Sequence, residues 1–174
     1  MQVCTYSIAA THQVVDVQGY FAPDVPGGLG YTAATPQRMV DTRECWTNAI
    51  TSQQQCAKVN AAGSVMAIRA PVGAEAVLVN LTLTGAQSAG FASADRCSTI
   101  LAATPRTSNA NVGAAGTAAN LAVVPVGADG MFCVYVSVAT HVVVDLQGIF
   151  SAAGQLRLSA VAPARQLDSR EPGA

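Results

Sequence analysis

Hydrophobic and polar residues alternate along this chain in short runs separated by Gly, Pro, Asn and Asp. Residues 74–84, AEAVLVNLTLT, are the clearest case. Val77, Val79, Leu81 and Leu83 share one face of a period-two strand, and Asn80, Thr82 and Thr84 share the other. Leu78 interrupts the polar face and Glu75 the apolar one. Strands are also predicted over residues 119–126, 131–138 and 141–150. The first two flank Gly127, Ala128, Asp129 and Gly130, and an Asp-Gly pair supplies the positive φ angles that tight hairpins use. A hairpin is therefore expected there, and residues 121–150 are expected to form a meander. Further strands fit residues 38–41, 64–70 and 90–95. Residues 112–119 are alanine-rich, but Gly113 and Gly116 argue against a helix. No long stretch keeps a 3.6-residue period. Many short strands between regular turns predict an all-β fold, an antiparallel β-sandwich or jelly-roll-like module.

The pattern also repeats. Residues 3–21 (VCTYSIAATHQVVDVQGYF) align without gaps on residues 132–150 (FCVYVSVATHVVVDLQGIF). Identities fall at Cys4/Cys133, Tyr6/Tyr135, Ala10/Ala139, Thr11/Thr140, His12/His141, Val14/Val143 and Val15/Val144. They continue at Asp16/Asp145, Gln18/Gln147, Gly19/Gly148 and Phe21/Phe150. The offset is 129 residues. After a linker, residues 36–44 (PQRMVDTRE) match residues 163–171 (PARQLDSRE) at an offset of 127. The simplest reading is a tandem array with a period of about 128 residues. One complete β-sandwich module would span 36–150. Residues 1–21 would be the closing hairpin of the preceding repeat, and 163–174 the opening strand of the next. Residues 22–35 and 151–162 would be linkers. Two other arrangements fit the same repeat. The two ends lie side by side as a symmetric pair in one larger sandwich, or the terminal hairpin adds to the sheet of another copy and builds a head-to-tail filament.

Four words of sequence carry a family resemblance. They are P-x-R-x-x-D-[TS]-R, AEAVLVNLTLT, TSNANVGAAGTAANLAVVPVGADGMFCVY and THVVVDLQGIF. Together they resemble a tandem-repeat β module of secreted and cell-surface proteins of Gram-positive bacteria. Such modules stand in tandem or are joined to peptidases and cell-wall hydrolases. The resemblance covers nearly all of residues 36–150 and both terminal fragments. It implies a location and an architecture, with no established activity.

The repeat also orders the five cysteines, among which there is no C-x-x-C pair of the zinc or thioredoxin-like kind. Cys4 is the copy of Cys133, so its partner would be a copy of Cys97 upstream of the chain. Cys97 and Cys133 are then expected to bond, Cys45 and Cys56 to close the polar loop 43–58, and Cys4 to stay unpaired. The competing reading is five buried thiols.

Composition narrows the function. Charged residues make up 11% and the net charge is −1. Lys58 is the only lysine, and the arginines form no stripe, so neither nucleic acid nor membrane insertion is expected. Residues after Met1 lack the basic flank and apolar core of a signal peptide, and an export signal is expected outside this chain. His141 and Asp145, repeated as His12 and Asp16, suggest a catalytic pair, but four residues along a strand separate them by roughly 13 Å. No Ser stands in a G-x-S-x-G setting. Arg38, Asp41 and Arg43 fit a structural clamp in which a carboxylate is flanked by guanidinium groups, and the trio returns as Arg165, Asp168 and Arg170. Asp95, Asp129 and Asp145 lack EF-hand spacing, and no metal or cofactor is expected. Asn80 opens a glycosylation sequon on the polar face of its strand. Ser108, Asn109, Asn111 and Asn120 suit hydrogen bonding to turns. Trp46, the sole tryptophan, lies in the Cys45–Cys56 loop and is the best candidate for a ligand contact.

These readings converge on a non-catalytic structural module at the cell surface or outside the cell. It is expected to form a stalk, spacer or self-associating fibre with copies of itself or neighbouring repeats. The alternative is a module that binds cell-wall glycan or polysaccharide for a secreted hydrolase.

Overall fold

The structure is a computed structural model that describes residues 4–8, 10, 13–23, 29–105 and 107–169, with the backbone alone for 14–19, 158–166 and 168. Twelve strands and one short helix follow in order: β1 (Val14–Ala22), β2 (Gly30–Asp41), β3 (Cys45–Thr47), β4 (Gln54–Cys56), β5 (Val65–Arg69), β6 (Ala76–Thr84), β7 (Gly90–Arg96), α1 (Cys97–Ala102), β8 (Ala110–Val112), β9 (Thr117–Pro125), β10 (Met131–Val136), β11 (His141–Ser151) and β12 (Arg157–Asp168). All strand pairs are antiparallel. One four-stranded sheet has the order β2-β11-β6-β9 and a second the order β5-β10-β7-β8. Strands β3 and β4 form a hairpin, and β1 pairs with β12.

The all-β expectation holds, and the alternation in β6 is the reason. Val77, Val79, Leu81 and Leu83 are fully buried, while Leu78, Asn80, Thr82 and Thr84 are half-buried on the other face. Strand β10 supplies the opposing layer through Phe132, Val134 and Val136. The two sheets close on one cluster that also takes in Met66, Val124, Val142 and Val144. Burial of these Val, Leu and Phe side chains contributes roughly 1.5–3 kcal/mol each. In β11 the consecutive residues Val142, Val143 and Val144 are all buried, as suits a strand covered on both faces.

The expected meander over residues 121–150 is corrected. The turn at Gly127–Gly130 forms, with Gly127 N donating to Met131 O at 2.8 Å and Gly130 at a φ of 75°. It joins two sheets rather than two neighbours in one sheet. Strand β9 pairs with β6, β10 lies between β5 and β7, and β11 lies between β2 and β6. Val126 still donates to Glu75 O beyond the end of β6, whereas Gly130 O already accepts from Ala70 N beyond β5. An Asp-Gly turn reverses the chain, but its local chemistry does not set which layer the next strand enters. The short helix α1 was not expected. It carries no side-chain N-cap bond and buries Cys97 and Ile100.

The terminal copies diverge halfway along. Residues 14–21 form strand like their equivalents 143–150, whereas residues 4–8 are not strand although 133–136 lie in β10. Among the described residues of 1–21, β1 is the one strand. Strand β10 is flanked by β5 and β7 and bonded through Cys133 to Cys97, and residues 4–8 have no such flanking strands among the described residues. The expected linkers are also shorter than 22–35 and 151–162, because β2 begins at Gly30 and β12 at Arg157.

Candidate functional site

Strand β2 ends on a charged cluster. Asp41 is buried, and both of its carboxylate oxygens are engaged. Oδ1 accepts from the Arg43 backbone N–H at 3.0 Å and from Arg43 Nε at 2.9 Å. Oδ2 accepts from Arg43 Nη2 at 2.6 Å and from Arg38 Nη1 at 2.5 Å. Arg38 Nε donates in turn to Asp145 Oδ1 on β11, its partner in the strand register. The clamp of Arg38, Asp41 and Arg43 therefore has a fourth member, Asp145, which ties β2 to the centre of its sheet. In the sequence, 107 residues separate Arg38 from Asp145. The signal that links them is recurrence: Asp16 stands in the first copy just as Asp145 stands in the second.

Arg43 holds the Asp41 carboxyl at about 2, below its ordinary 3.8, chiefly through the side-chain hydrogen bond and against the opposing effect of burial. A carboxyl whose pKa falls on folding stabilises the folded chain above its unfolded pKa. That stabilisation is lost as the pH drops from about 4 toward about 2. It is worth roughly 2 kcal/mol. Urea titrations over this range are expected to show a drop in stability that Asp41→Asn does not show. Equal slopes against pH for both proteins would contradict the clamp.

His141 and Asp145 do not form a pair. Asp145 is held by Arg38, whereas His141 Nδ1 lies 3.1 Å from Thr42 Oγ1, which also accepts from Val142 N–H at 2.9 Å. Thr140 Oγ1 donates to Thr84 O at 3.2 Å. The Thr-His word thus pins the start of β11 to β6 and to the turn after β2. The first-copy equivalent His12 lies outside the described residues.

Cys45 and Cys56 are bonded, as are Cys97 and Cys133, while Cys4 is a free, exposed thiol. Cys45 and Cys56 are direct cross-strand partners in the β3–β4 hairpin, so the segment expected as a polar loop is a short ribbon. Trp46, expected as a ligand contact on an open loop, is instead largely buried. Alternation in β3 turns Cys45 and Thr47 outward and Trp46 inward, and its side chain joins the main core at 6% exposure. An open cleft of about 640 Å³ lies near the clamp instead, with Arg38, Asn48, Ser52 and Arg69 among its lining residues.

The remaining polar candidates hydrogen-bond within strands and turns. Asp129 Oδ1 accepts from Met131 N–H at 3.0 Å, and Asp95 Oδ1 from Arg96 N–H at 2.6 Å. Asn109 Oδ1 accepts from Ala94 N–H at 2.7 Å, Asn120 Nδ2 donates to Asn109 O at 2.6 Å, and Asn111 Nδ2 to Ser108 Oγ at 3.0 Å. Asn80 Nδ2 donates to Thr82 Oγ1 at 3.4 Å. Among the described residues no three His, Cys, Asp or Glu side chains converge on one point.

The most informative geometry lies at the chain ends. Strands β1 and β12 pair as Val14↔Asp168, Val15↔Leu167, Asp16↔Arg165, Val17↔Ala164, Gly19↔Ala160, Tyr20↔Ser159, Phe21↔Leu158 and Ala22↔Arg157. Shifting the first members by 129 and the second by 127 gives Val143↔Asp41, Val144↔Val40, Asp145↔Arg38, Leu146↔Gln37, Gly148↔Ala33, Ile149↔Thr32, Phe150↔Tyr31 and Ser151↔Gly30. These are the observed pairs of β11 and β2. Both register irregularities recur at equivalent places. Arg165 and Asp168 therefore occupy the backbone positions of Arg38 and Asp41, with their side chains outside the described set, and Arg170 lies outside the described residues. The two pairs meet at a seam. Tyr31 N donates to Leu156 O at 2.5 Å and Leu156 N to Tyr31 O at 3.2 Å. The Phe21 ring lies 4.7 Å from Tyr31 and 6.2 Å from Phe150, its own copy. Tyr31 lies over Gly148, where a Cβ would collide with the ring, and its hydroxyl donates to Gln147 O at 3.1 Å.

Two packed antiparallel sheets and two disulfides define a disulfide-bonded, all-β sandwich, and no described helix is long and apolar enough to cross a membrane. No family model, curated protein or solved structure matches the chain.

Proposed function

We propose that this chain is a non-catalytic structural repeat module of an exported bacterial protein, serving as a stalk, spacer or self-associating surface fibre. The observation that carries the reading is the repeated register. Each end of the chain bears one half of the strand pair that closes a module, and the two halves fit each other as β11 fits β2. Two disulfides favour an oxidising, extracellular location. The saturated hydrogen bonding of the clamp suits a bracing role, since every Asp41 oxygen is already committed. Low charge suits close packing between copies.

Light scattering and electron microscopy over a concentration series test the assembling form of this role. Concentration-dependent polymers are expected, and deletion of residues 1–21 is expected to abolish them. A monomer at all concentrations that binds peptidoglycan would contradict self-association and favour the alternative of a glycan-binding module on a hydrolase. The observation that favours that alternative is the open cleft whose mixed lining includes Arg38, Asn48, Ser52 and Arg69, and peptidoglycan binding lost on Arg69→Ala would locate it there.

A further inference from the structure

We infer that strand β9 is a self-recognition edge, on which a second copy of this chain adds its own β9 antiparallel about a twofold axis. The contact uses none of the residues at the chain ends and so goes beyond the repeat-module reading.

The hydrogen bonds that bracket β9 show which of its backbone groups are free. Gly85 N donates to Gly116 O at 3.1 Å at one end of the β6–β9 pair, and Val126 N to Glu75 O at 2.9 Å at the other. Both keep the register of the ladder between them. Bonded and non-bonded pairs alternate along an antiparallel ladder, so Ala118, Asn120, Ala122 and Val124 are the residues that bond β6. The N–H and C=O groups of Thr117, Ala119, Leu121 and Val123 point away from it. Those groups take no partner among the described residues. The side chains of Leu121 and Val123 are 56% and 55% exposed. Val123 stands opposite Leu78 of β6, so the apolar patch continues onto the outer face of the sheet.

The other edges of the two four-stranded sheets are guarded. Strand β2 carries Pro36 and Arg38, β5 is five residues long and ends in Arg69, and β8 is three residues long. Proline, charge and shortness are the usual protections of an open edge. Strand β9, TAANLAVVP, is nine residues long, has no charged residue and carries its proline at the last position. Its own sequence supplies the complement. With a twofold axis beside Asn120, Thr117 of one copy falls opposite Val123 of the other, and Ala119 opposite Leu121. Each free N–H on one strand then meets a free C=O on the other. Leu121 lies beside the small Ala119, and Pro125, which has no N–H to give, falls beyond the last bonded pair. An uncharged strand offers nothing to a charged partner, whereas pairing with itself brings no like charges together. Such a contact is isologous and closes at two copies.

The test combines residue-resolved amide hydrogen exchange on the full chain, over a concentration series, with nuclear Overhauser contacts in a mixture of labelled and unlabelled copies. At low concentration the amides of Ala118, Asn120, Ala122 and Val124 are expected to exchange slowly, and those of Ala119, Leu121 and Val123 fast. Raising the concentration is expected to slow the second set about tenfold or more and to give contacts between copies that link Ala119 to Leu121. Leu121→Lys replaces an exposed side chain and adds a charge to the edge. It is expected to abolish both effects with the urea midpoint at low concentration unchanged, while Val72→Lys, at a fully exposed residue outside the strands, leaves both in place. A second set that stays fast up to about 1 mM overturns the inference. So does association that survives Leu121→Lys and is lost on deletion of residues 1–21, which leaves the repeat-module reading standing. Dimers joined through Ala119 and Leu121, with no larger polymer at any concentration, support the inference and remove the fibre role from that reading.

Discussion

Trp46→Ala is expected to lower the stability of the chain by about 3–5 kcal/mol, the usual cost of deleting a buried Trp or Phe from a core. The indole is 6% exposed and belongs to the main buried cluster. Its removal leaves a large cavity beneath the β3–β4 hairpin, whose strands are only three residues long. Part of the cost is the packing that the hairpin lends to Met66, since both side chains line the same small cleft. Urea denaturation monitored by far-UV circular dichroism checks this through the midpoint, with no fall in slope expected. An unchanged midpoint accompanied by loss of a bound glycan would return Trp46 to the ligand-contact role its position in the sequence suggests.

Replacing Cys97 and Cys133 together with alanine is expected to cost about 3–4 kcal/mol, because the bond closes a loop of intermediate length in the unfolded chain. The two residues are 36 apart in sequence, and both are buried with Ala67 and Ile100. The bond anchors α1 to β10, and α1 has no capping side chain to hold it otherwise. Loss of the bridge is expected to destabilise the helix together with the loop that follows it. Cys4→Ser is the control. That thiol is exposed and unbonded, so its replacement is expected to leave stability within about 0.5 kcal/mol. Equal effects of the two changes on a guanidinium titration would contradict this assignment.

Much of the fold is legible in the chain because strand burial follows a period of two. Strand β6 shows its buried face directly in Val77, Val79, Leu81 and Leu83. Strand β11 is legible for a different reason, its recurrence as β1. The layer change between β9 and β10 was not legible. The turn at Gly127–Gly130 has the same chemistry whether it joins strands within a sheet or across two sheets, and the long-range pairing decides. The burial of Trp46 was not legible because its neighbours are polar. Alternation over only three residues is too short a pattern to distinguish a core strand from a loop. The helix α1 escaped because its six residues hold less than two turns of periodicity, and its anchor is a disulfide rather than an amphipathic face. The clamp was visible as three charges, but Asp145 entered only through the register of β11 on β2, which no local pattern carries.

The claim on which the account depends is that β1 lies on β12 as β11 lies on β2. Cross-strand nuclear Overhauser contacts measured on the full chain test it most directly. The account predicts backbone contacts linking Tyr20 to Ser159 and Phe21 to Leu158, in the same pattern that links Ile149 to Thr32 and Phe150 to Tyr31. A different register at the chain ends, or no contacts between residues 14–22 and 157–168, would contradict it.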